Sequence, residues 1–258
     1  MDEKLAAFGR LLTIMDELRA GCPWDRKQTF ESLRYLTIEE TYELSDAILE
    51  NKPKEICQEL GDLMLHLVFY AKIGSETGAF DIKDVLDGIS KKLTSRHPHI
   101  YADVSVADDE DVKNNWEKIK LKEKGRKTVL GGVPSSLPAM VKAFRMQEKA
   151  RGVGFDWKET AQVWEKVNEE VEELQQEVAR GDTAAMEKEF GDLLFSLVNY
   201  ARFIGVNPED ALERTNRKFM SRFNYIEAQA HKNDKEMHEL SLEQMDALWN
   251  EAKEKEGK

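Results

Sequence analysis

Apolar residues recur along this chain at intervals of three and four. Leu5, Phe8, Leu12, Met15 and Leu18 form one stripe, with Arg19 beside its last member. Leu33, Leu36, Leu44, Ala47 and Ile48 form a second, and Glu40 and Glu43 fall on or beside it. Leu60, Leu63, Met64, Leu67, Val68 and Ala71 form a third. This spacing places each set on one face of a helix. No stretch shows sustained strand-like alternation bounded by turn residues. The pattern therefore predicts an all-α chain. Asn51-Lys52-Pro53 breaks the pattern after the second stripe, and Gly181-Asp182 breaks it in the second half. Such short connections predict antiparallel neighbouring helices.

The chain is also internally duplicated. Glu39, Glu40, Glu43, Glu59 and Asp62 are each matched 130 residues later, by Glu169, Glu170, Glu173, Glu189 and Asp192. The segment ELGDLMLHLVFYA (59–71) aligns without a gap to EFGDLLFSLVNYA (189–201). SKKLTSRH (90–97) aligns to NRKFMSRF (216–223), now 126 residues apart, and Trp116 corresponds to Trp249. Trp24-Asp25 has a reversed echo in Asp156-Trp157. The period is too long for a solenoid, so the expectation is two copies of one helical-bundle domain. Residues 1–124 and 139–258 are the expected domains. The Gly-, Pro- and Ser-containing segment 125–138 is expected to link them, and the final EAKEKEGK to fray.

Composition narrows the partners. Of 258 residues 41% are hydrophobic and 34% charged, and the net charge is −12. That balance argues against nucleic acid or an anionic membrane as main partner, since both attract a basic surface. It leaves nucleotides open, because a metal ion bridges acidic protein to phosphate. Two cysteines, Cys22 and Cys57, are too few for a disulfide framework and suit a reducing cytoplasm. No apolar run reaches the roughly 20 residues of a membrane span. The N-terminal segment reads as an amphipathic helix with acidic residues rather than a signal peptide.

An acidic pair three residues apart is weak evidence alone, because 50 of the 258 residues are acidic. Three features strengthen it here. The acids lie against apolar stripes, as Glu170 does beside Val167, Val171 and Leu174. Two acidic helices meet across a short turn, so Glu40, Glu43, Glu59 and Asp62 converge, as do Glu170, Glu173, Glu189 and Asp192. The whole arrangement occurs twice. Carboxylates turned inward are costly unless paired or metal-bound. An all-oxygen set suits Mg²⁺, with Mn²⁺ as a substitute, better than Zn²⁺. His66 has Ser196 as its counterpart and is expected in the core or supporting a ligand. His97-Pro98-His99 is expected to stop a helix. Lys92 and Arg96, and in the second copy Lys218 and Arg222, stand four apart on a helix face suited to phosphate. Asn216 adds a hydrogen-bonding group where the first copy has Ser90, and Trp116 and Trp249 offer faces for a base.

Glu-Glu-x-x-Glu followed by Glu-x-x-Asp on consecutive helices resembles the all-α nucleoside triphosphate pyrophosphohydrolases. The closer resemblance is to the two-domain MazG proteins. It rests on GCPWDRKQTFESLRYLTIEETYEL, ELGDLMLHLVFYA, RHPHIY, GFDW, KVNEEVEEL, EFGDLLF and NRKFMSRF, and covers nearly the whole chain. It implies Mg²⁺-dependent hydrolysis of nucleoside triphosphates to monophosphate and pyrophosphate, broad in base and sugar, with a house-cleaning role. It also implies homodimers in which two subunits complete the bundle. By resemblance Glu170, Glu173, Glu189 and Asp192 are metal ligands, and Lys218, Arg222 and Trp249 meet the substrate. The second copy is the one generally catalytic in such proteins. The first copy keeps Glu40, Glu43, Glu59, Asp62, Lys92 and Arg96, so its silence is not legible from missing ligands. Glu169, or Glu39 in the first copy, is a candidate for orienting or deprotonating the attacking water. Alternatives are a narrower dUTPase-like or phosphoribosyl-ATP-type hydrolase, a non-catalytic nucleotide- or metal-binding regulator, and a plain structural bundle.

Overall fold

The computed structural model describes residues 2–102, 104, 112, 115, 116, 119 and 128–256. Eleven α-helices and no strands occur among them. The chain divides into two compact units, Met1–Trp116 and Glu117–Lys258. The sequence boundary placed at residue 124 and the first three residues of the expected linker lie outside the described residues.

In the first unit α1 (Glu3–Gly21) and the short α2 (Pro23–Lys27) precede a long hairpin of α3 (Phe30–Leu49) and α4 (Pro53–Glu76). Thr29 starts α3 with a reciprocal cap, accepting from the Ser32 amide at 3.2 Å while the Ser32 hydroxyl accepts from the Thr29 amide at 2.8 Å. Asn51 makes the turn with φ of 53°, and Pro53 opens α4 where its missing N–H is harmless. Met15, Leu33, Val68, Phe69 and Ile73 form the buried core, flanked by Phe8, Leu11, Leu12, Leu36, Leu65 and Tyr70. Then α5 (Ile82–Arg96) and the one-turn α6 (Pro98–Tyr101) follow, so His97-Pro98 does end a helix.

The second unit repeats the hairpin. A 3-10 turn at Leu130–Gly132 leads to α7 (Ala139–Arg151), then α8 (Thr160–Arg180) and α9 (Thr183–Phe203). Gly181 takes the left-handed conformation (φ 74°) that Asn51 takes in the first unit. Asp182 caps α9, its carboxylate accepting from the Ala184 and Ala185 amides at 3.1 and 3.2 Å. Buried Val163, Val167, Val198, Ile226 and Ala230 line the interior, and α10 (Pro208–Lys232) packs with α11 (Leu242–Glu256). The C-terminal segment does not fray over its described length. Ala252 is buried, Glu251 accepts from the Tyr225 hydroxyl at 2.6 Å, and Lys255 pairs with Glu251 at 2.9 Å.

The copies diverge where α4 ends. Gly74 is buried, and a Cβ there would come within 2.8 Å of both the Phe80 ring and the Phe80 carbonyl oxygen. Phe80 in turn leans on Phe30, which stacks on Tyr70 with ring centroids 5.9 Å apart. The aligned position of the second copy is the exposed Ile204. Replacement Gly74→Ala is therefore expected to destabilise the chain by about 1–3 kcal/mol, read as a lowered urea midpoint. An unchanged midpoint would contradict the close packing of Phe80.

Candidate functional site

The two hairpins bring the acids together at the same register, with Glu59 and Glu170 buried, Glu40, Glu173 and Glu189 half-buried and Glu43 exposed. Carboxylate oxygens of Glu40, Glu43 and Glu59 lie within 4.8 Å of one another, and so do those of Glu170, Glu173 and Glu189. In each hairpin the first two acids sit one turn apart on one helix and the third comes from its antiparallel neighbour. Asp62 and Asp192 stand outside these tight groups. Asp62 still raises the proton affinity of Glu40 and Glu59, and Asp192 lies 3.5 Å from Lys188.

Burial makes the groups unusual. Glu59 is 8% and Glu170 5% exposed, and Oε2 of each is buried without a hydrogen-bond partner. An ionised oxygen left so in a protein interior is unfavourable. Burial foremost, then Asp62, Glu43, Glu59 and Glu39, push the Glu40 carboxyl above its usual range. Glu59 rises through burial and then Glu43 and Asp62. Glu173 rises through burial and then Glu170, with Lys166 pulling the other way. The acid sets thus fit a hard divalent cation: three oxygen ligands already converge, and one buried lone-pair acceptor in each awaits a positive partner.

The surroundings differ between copies. Lys166 reaches Glu169 and Glu170, both at 2.8 Å, and these hydrogen bonds hold it firmly protonated. Lys188 reaches Glu189 at 2.7 Å. Neither lysine was singled out from the sequence, although Lys166–Glu170 and Lys188–Asp192 show the four-residue spacing of helical ion pairs. In the first copy His66 is buried, and Nδ1 lies 2.9 Å from the Thr37 hydroxyl, which is 2.7 Å from the Tyr70 hydroxyl. Burial lowers its proton affinity, opposed by Asp62. It behaves as a supporting core residue.

The basic and aromatic residues form their own groups. The Arg222 guanidinium stacks over Trp249 at 5.3 Å, and Trp249 also meets Phe219 at 5.2 Å, joining α10 to α11. Lys218 is exposed one turn before Arg222, and Asn216 donates to Glu213 at 3.3 Å. In the first unit Lys92 is exposed and Arg96 half-buried near the end of α5, and Trp116 meets His97 edge-on at 5.0 Å.

A feature not read from the sequence is a cavity of about 570 Å³ in the second unit. Leu130, Phe155, Trp157 and Phe195 give it apolar walls, and Gln147, Asn199 and Arg202 give it polar ones. Gln147 is buried; its amide donates to the Phe195 carbonyl at 2.8 Å, but Oε1 has no partner. Arg202 is fixed by Asp156 through bonds of 2.8 and 2.5 Å. The gapless alignment of α4 and α9 places Asn199 where the first copy has the core residue Phe69.

Known proteins resemble the chain throughout. The family described as "MazG nucleotide pyrophosphohydrolase domain" matches twice, at residues 28–101 and 159–226. A Thermotoga maritima protein named "Nucleoside triphosphate pyrophosphohydrolase/pyrophosphatase MazG" is 44% identical over 98% of this chain and 98% of its own length. The Escherichia coli K12 "Nucleoside triphosphate pyrophosphohydrolase" is 42% identical over 96% and 97%. The Bacillus subtilis "Uncharacterized protein YabN" is 48% identical over 99% of this chain and 54% of that protein.

The raised proton affinities carry a sign that can be measured. Between the unfolded carboxylate range and the raised range of Glu40 and Glu59, the folded chain binds more protons than the unfolded one. Their contribution to stability therefore falls as pH rises through that window. Glu76, lowered by Arg19, acts in the opposite sense, so the comparison must be differential. Without divalent cation, Glu59→Gln is expected to gain thermal midpoint over the unsubstituted chain between about pH 4 and about pH 7. A constant difference across that range would remove the buried charge from the account.

Proposed function

The chain belongs to the MazG nucleotide pyrophosphohydrolase family, and on that premise we propose that it hydrolyses nucleoside triphosphates to monophosphate and pyrophosphate with Mg²⁺, or Mn²⁺ in its place. The observation that carries this reading is the partnerless buried oxygen of Glu59 and of Glu170, each beside two further converging acids. Glu170, Glu173, Glu189 and Asp192 would hold the cation in the second copy, and Glu40, Glu43, Glu59 and Asp62 in the first. A cation there supplies Lewis-acid charge to the triphosphate.

The chain's own groups account for the remaining demands. Lys218 and Arg222 offset negative charge on the phosphates as the bond to the departing pyrophosphate lengthens. Lys92 and Arg96 are their equivalents in the first copy. Asn216 offers a hydrogen bond and Trp249 a ring face to the substrate. Glu169, at the margin of the acidic group and paired with Lys166, orients the water that attacks the α-phosphorus. The cavity along α9 receives the base. Its apolar walls suit the face of a ring, and the buried, unpartnered Gln147 Oε1 takes a hydrogen from an amino or imino group. Such a pocket tolerates many bases, which suits clearance of abnormal nucleotides in the cytoplasm.

The assembly we favour is a homodimer. Leu60, Met64 and Leu67 form an exposed stripe on α4, and Phe190, Leu194 and Leu197 repeat it position for position on α9. Gly61 and Gly191, with no atom within 4 Å of an added Cβ, lie beside these stripes. A mid-helix glycine costs roughly 1 kcal/mol, a cost explained if another chain approaches closely there. Light scattering should give twice the chain mass, and a monomer at micromolar concentration would refute the assembly.

The activity is tested by incubation with each nucleoside triphosphate and a divalent cation, with products read by phosphorus NMR. Pyrophosphate and monophosphate are expected, and Glu170→Gln and Glu173→Ala should abolish turnover while the helical circular dichroism persists. Asn199→Phe should raise KM for nucleotides and leave that for inorganic tripolyphosphate unchanged. Full turnover in the acid variants would refute the second-copy site, and an unaltered nucleotide KM in Asn199→Phe would refute the base pocket.

A further inference from the structure

The two acidic groups share three converging carboxylates, with an aspartate at the same register beside them, but not their counter-charges. In the second copy two ammonium groups lie on the acids, Lys166 on Glu169 and Glu170, and Lys188 on Glu189 and Asp192. The aligned first-copy positions are Leu36 and Gln58. Leu36 packs against the core and Gln58 is exposed. Glu55, itself paired with Lys52 at 3.1 Å, also acts on Glu59 in the first copy, where the second has Ala185. The downstream basic pairs, Lys92 with Arg96 and Lys218 with Arg222, occur in both copies and do not distinguish them in sequence. Each acidic group also holds the partnerless, nine-tenths buried oxygen that a cation would satisfy.

We infer that the two sites are unequal toward a divalent cation: the first copy takes up the free ion unaided, whereas in the second Lys166 and Lys188 hold the carboxylates until a cation arrives with a triphosphate. The inference rests on the reading of the acids as metal sites. An ion entering the second site alone must approach two positive charges a few ångströms away, the half-buried Lys166 and the exposed Lys188, and must separate them from their partners. In the first copy no lysine is paired with Glu40, Glu43 or Glu59 among the described residues, and the lysine of the turn, Lys52, lies on Glu50 and Glu55 instead. A nucleotide alters the second site because its phosphates bring the negative charge that compensates both ammonium groups. The first copy thereby acts as a standing cation site, its occupancy set by free ion, while the second is filled in step with substrate.

The test is titration of the full chain with Mn²⁺, followed by electron paramagnetic resonance, first without nucleotide and then with a non-hydrolysable triphosphate. Without nucleotide, one ion per chain should bind at least about tenfold more tightly than the next, as expected for two charges at this range. Glu43→Gln should remove the tight ion and Glu173→Gln should leave it. Lys166→Leu with Lys188→Gln, which installs the first-copy residues, should tighten the weak site toward the strong one. Gln58→Lys, at an exposed position, should weaken the strong site and serves if Glu43→Gln does not fold. Equal affinities, loss of the tight ion in Glu173→Gln, or an isotherm unmoved by the lysine replacements would each overturn the inequality. Absence of bound Mn²⁺ at both sites even with nucleotide would instead overturn the metal reading itself.

Discussion

A carboxylate oxygen buried without a donor is the constraint around which each hairpin is organised. Glu59 and Glu170 point from one helix into the seam with its neighbour, where apolar residues would pack more easily. Solvation is lost there, and nearby acids add repulsion. The fold tolerates this because caps, turns and apolar stripes elsewhere hold the seam shut. Thr29 and Ser32 fix the entry to one hairpin, and Asp182 fixes the turn of the other. The strain of gathering like charges is local, whereas the support is spread along helices of about twenty residues.

Much of this was legible in the sequence because helices write their apolar face as a period, although Ile48, Leu60, Met64 and Leu67 of that pattern are exposed rather than buried. The stripes at Leu33 to Ile48 and Leu60 to Ala71 gave the hairpin, and the acids' position on those stripes gave their inward direction. The constant offset of 130 residues made chance spacing untenable. What stayed hidden depended on partners distant in sequence. Gln147 reaches the Phe195 carbonyl across 48 positions, and no local pattern marks it. Asn199 reads as an ordinary polar residue until its place opposite Phe69 is seen to leave a core position unfilled. Lys166 and Lys188 were visible as helical ion-pair spacings, but a chain with 34% charged residues offers many of those. The end of the chain misled for the opposite reason. Its Lys/Glu composition looked like solvent-exposed tail, yet Ala252 and the Tyr225–Glu251 bond tie it down through Glu256.

Duplication separates what the fold requires from what each copy has made of it. Both hairpins retain the converging acids and the outward apolar stripe. Around that shared frame, the first copy fills its interior with Phe69 and the His66–Thr37–Tyr70 chain. The second gives up that aromatic core residue for Asn199 and keeps a cavity. The two interiors thus trade packing for space in opposite directions, while the carboxylate geometry is common to both.

The small turns at Asn51 and Gly181 have a larger consequence than their size implies. Each helical residue advances the side-chain direction by about 100°. A single insertion after either left-handed residue, absorbed by winding the next helix one place further, would swing its acids from the seam toward the outside. Helix content would hardly register the change, but the same rotation would carry core residues such as Val68 and Phe69 out of the interior and cost stability as well. Loop length in these hairpins is therefore a dial on chemistry, and drift by one residue there would silence a copy more surely than most changes to its interior.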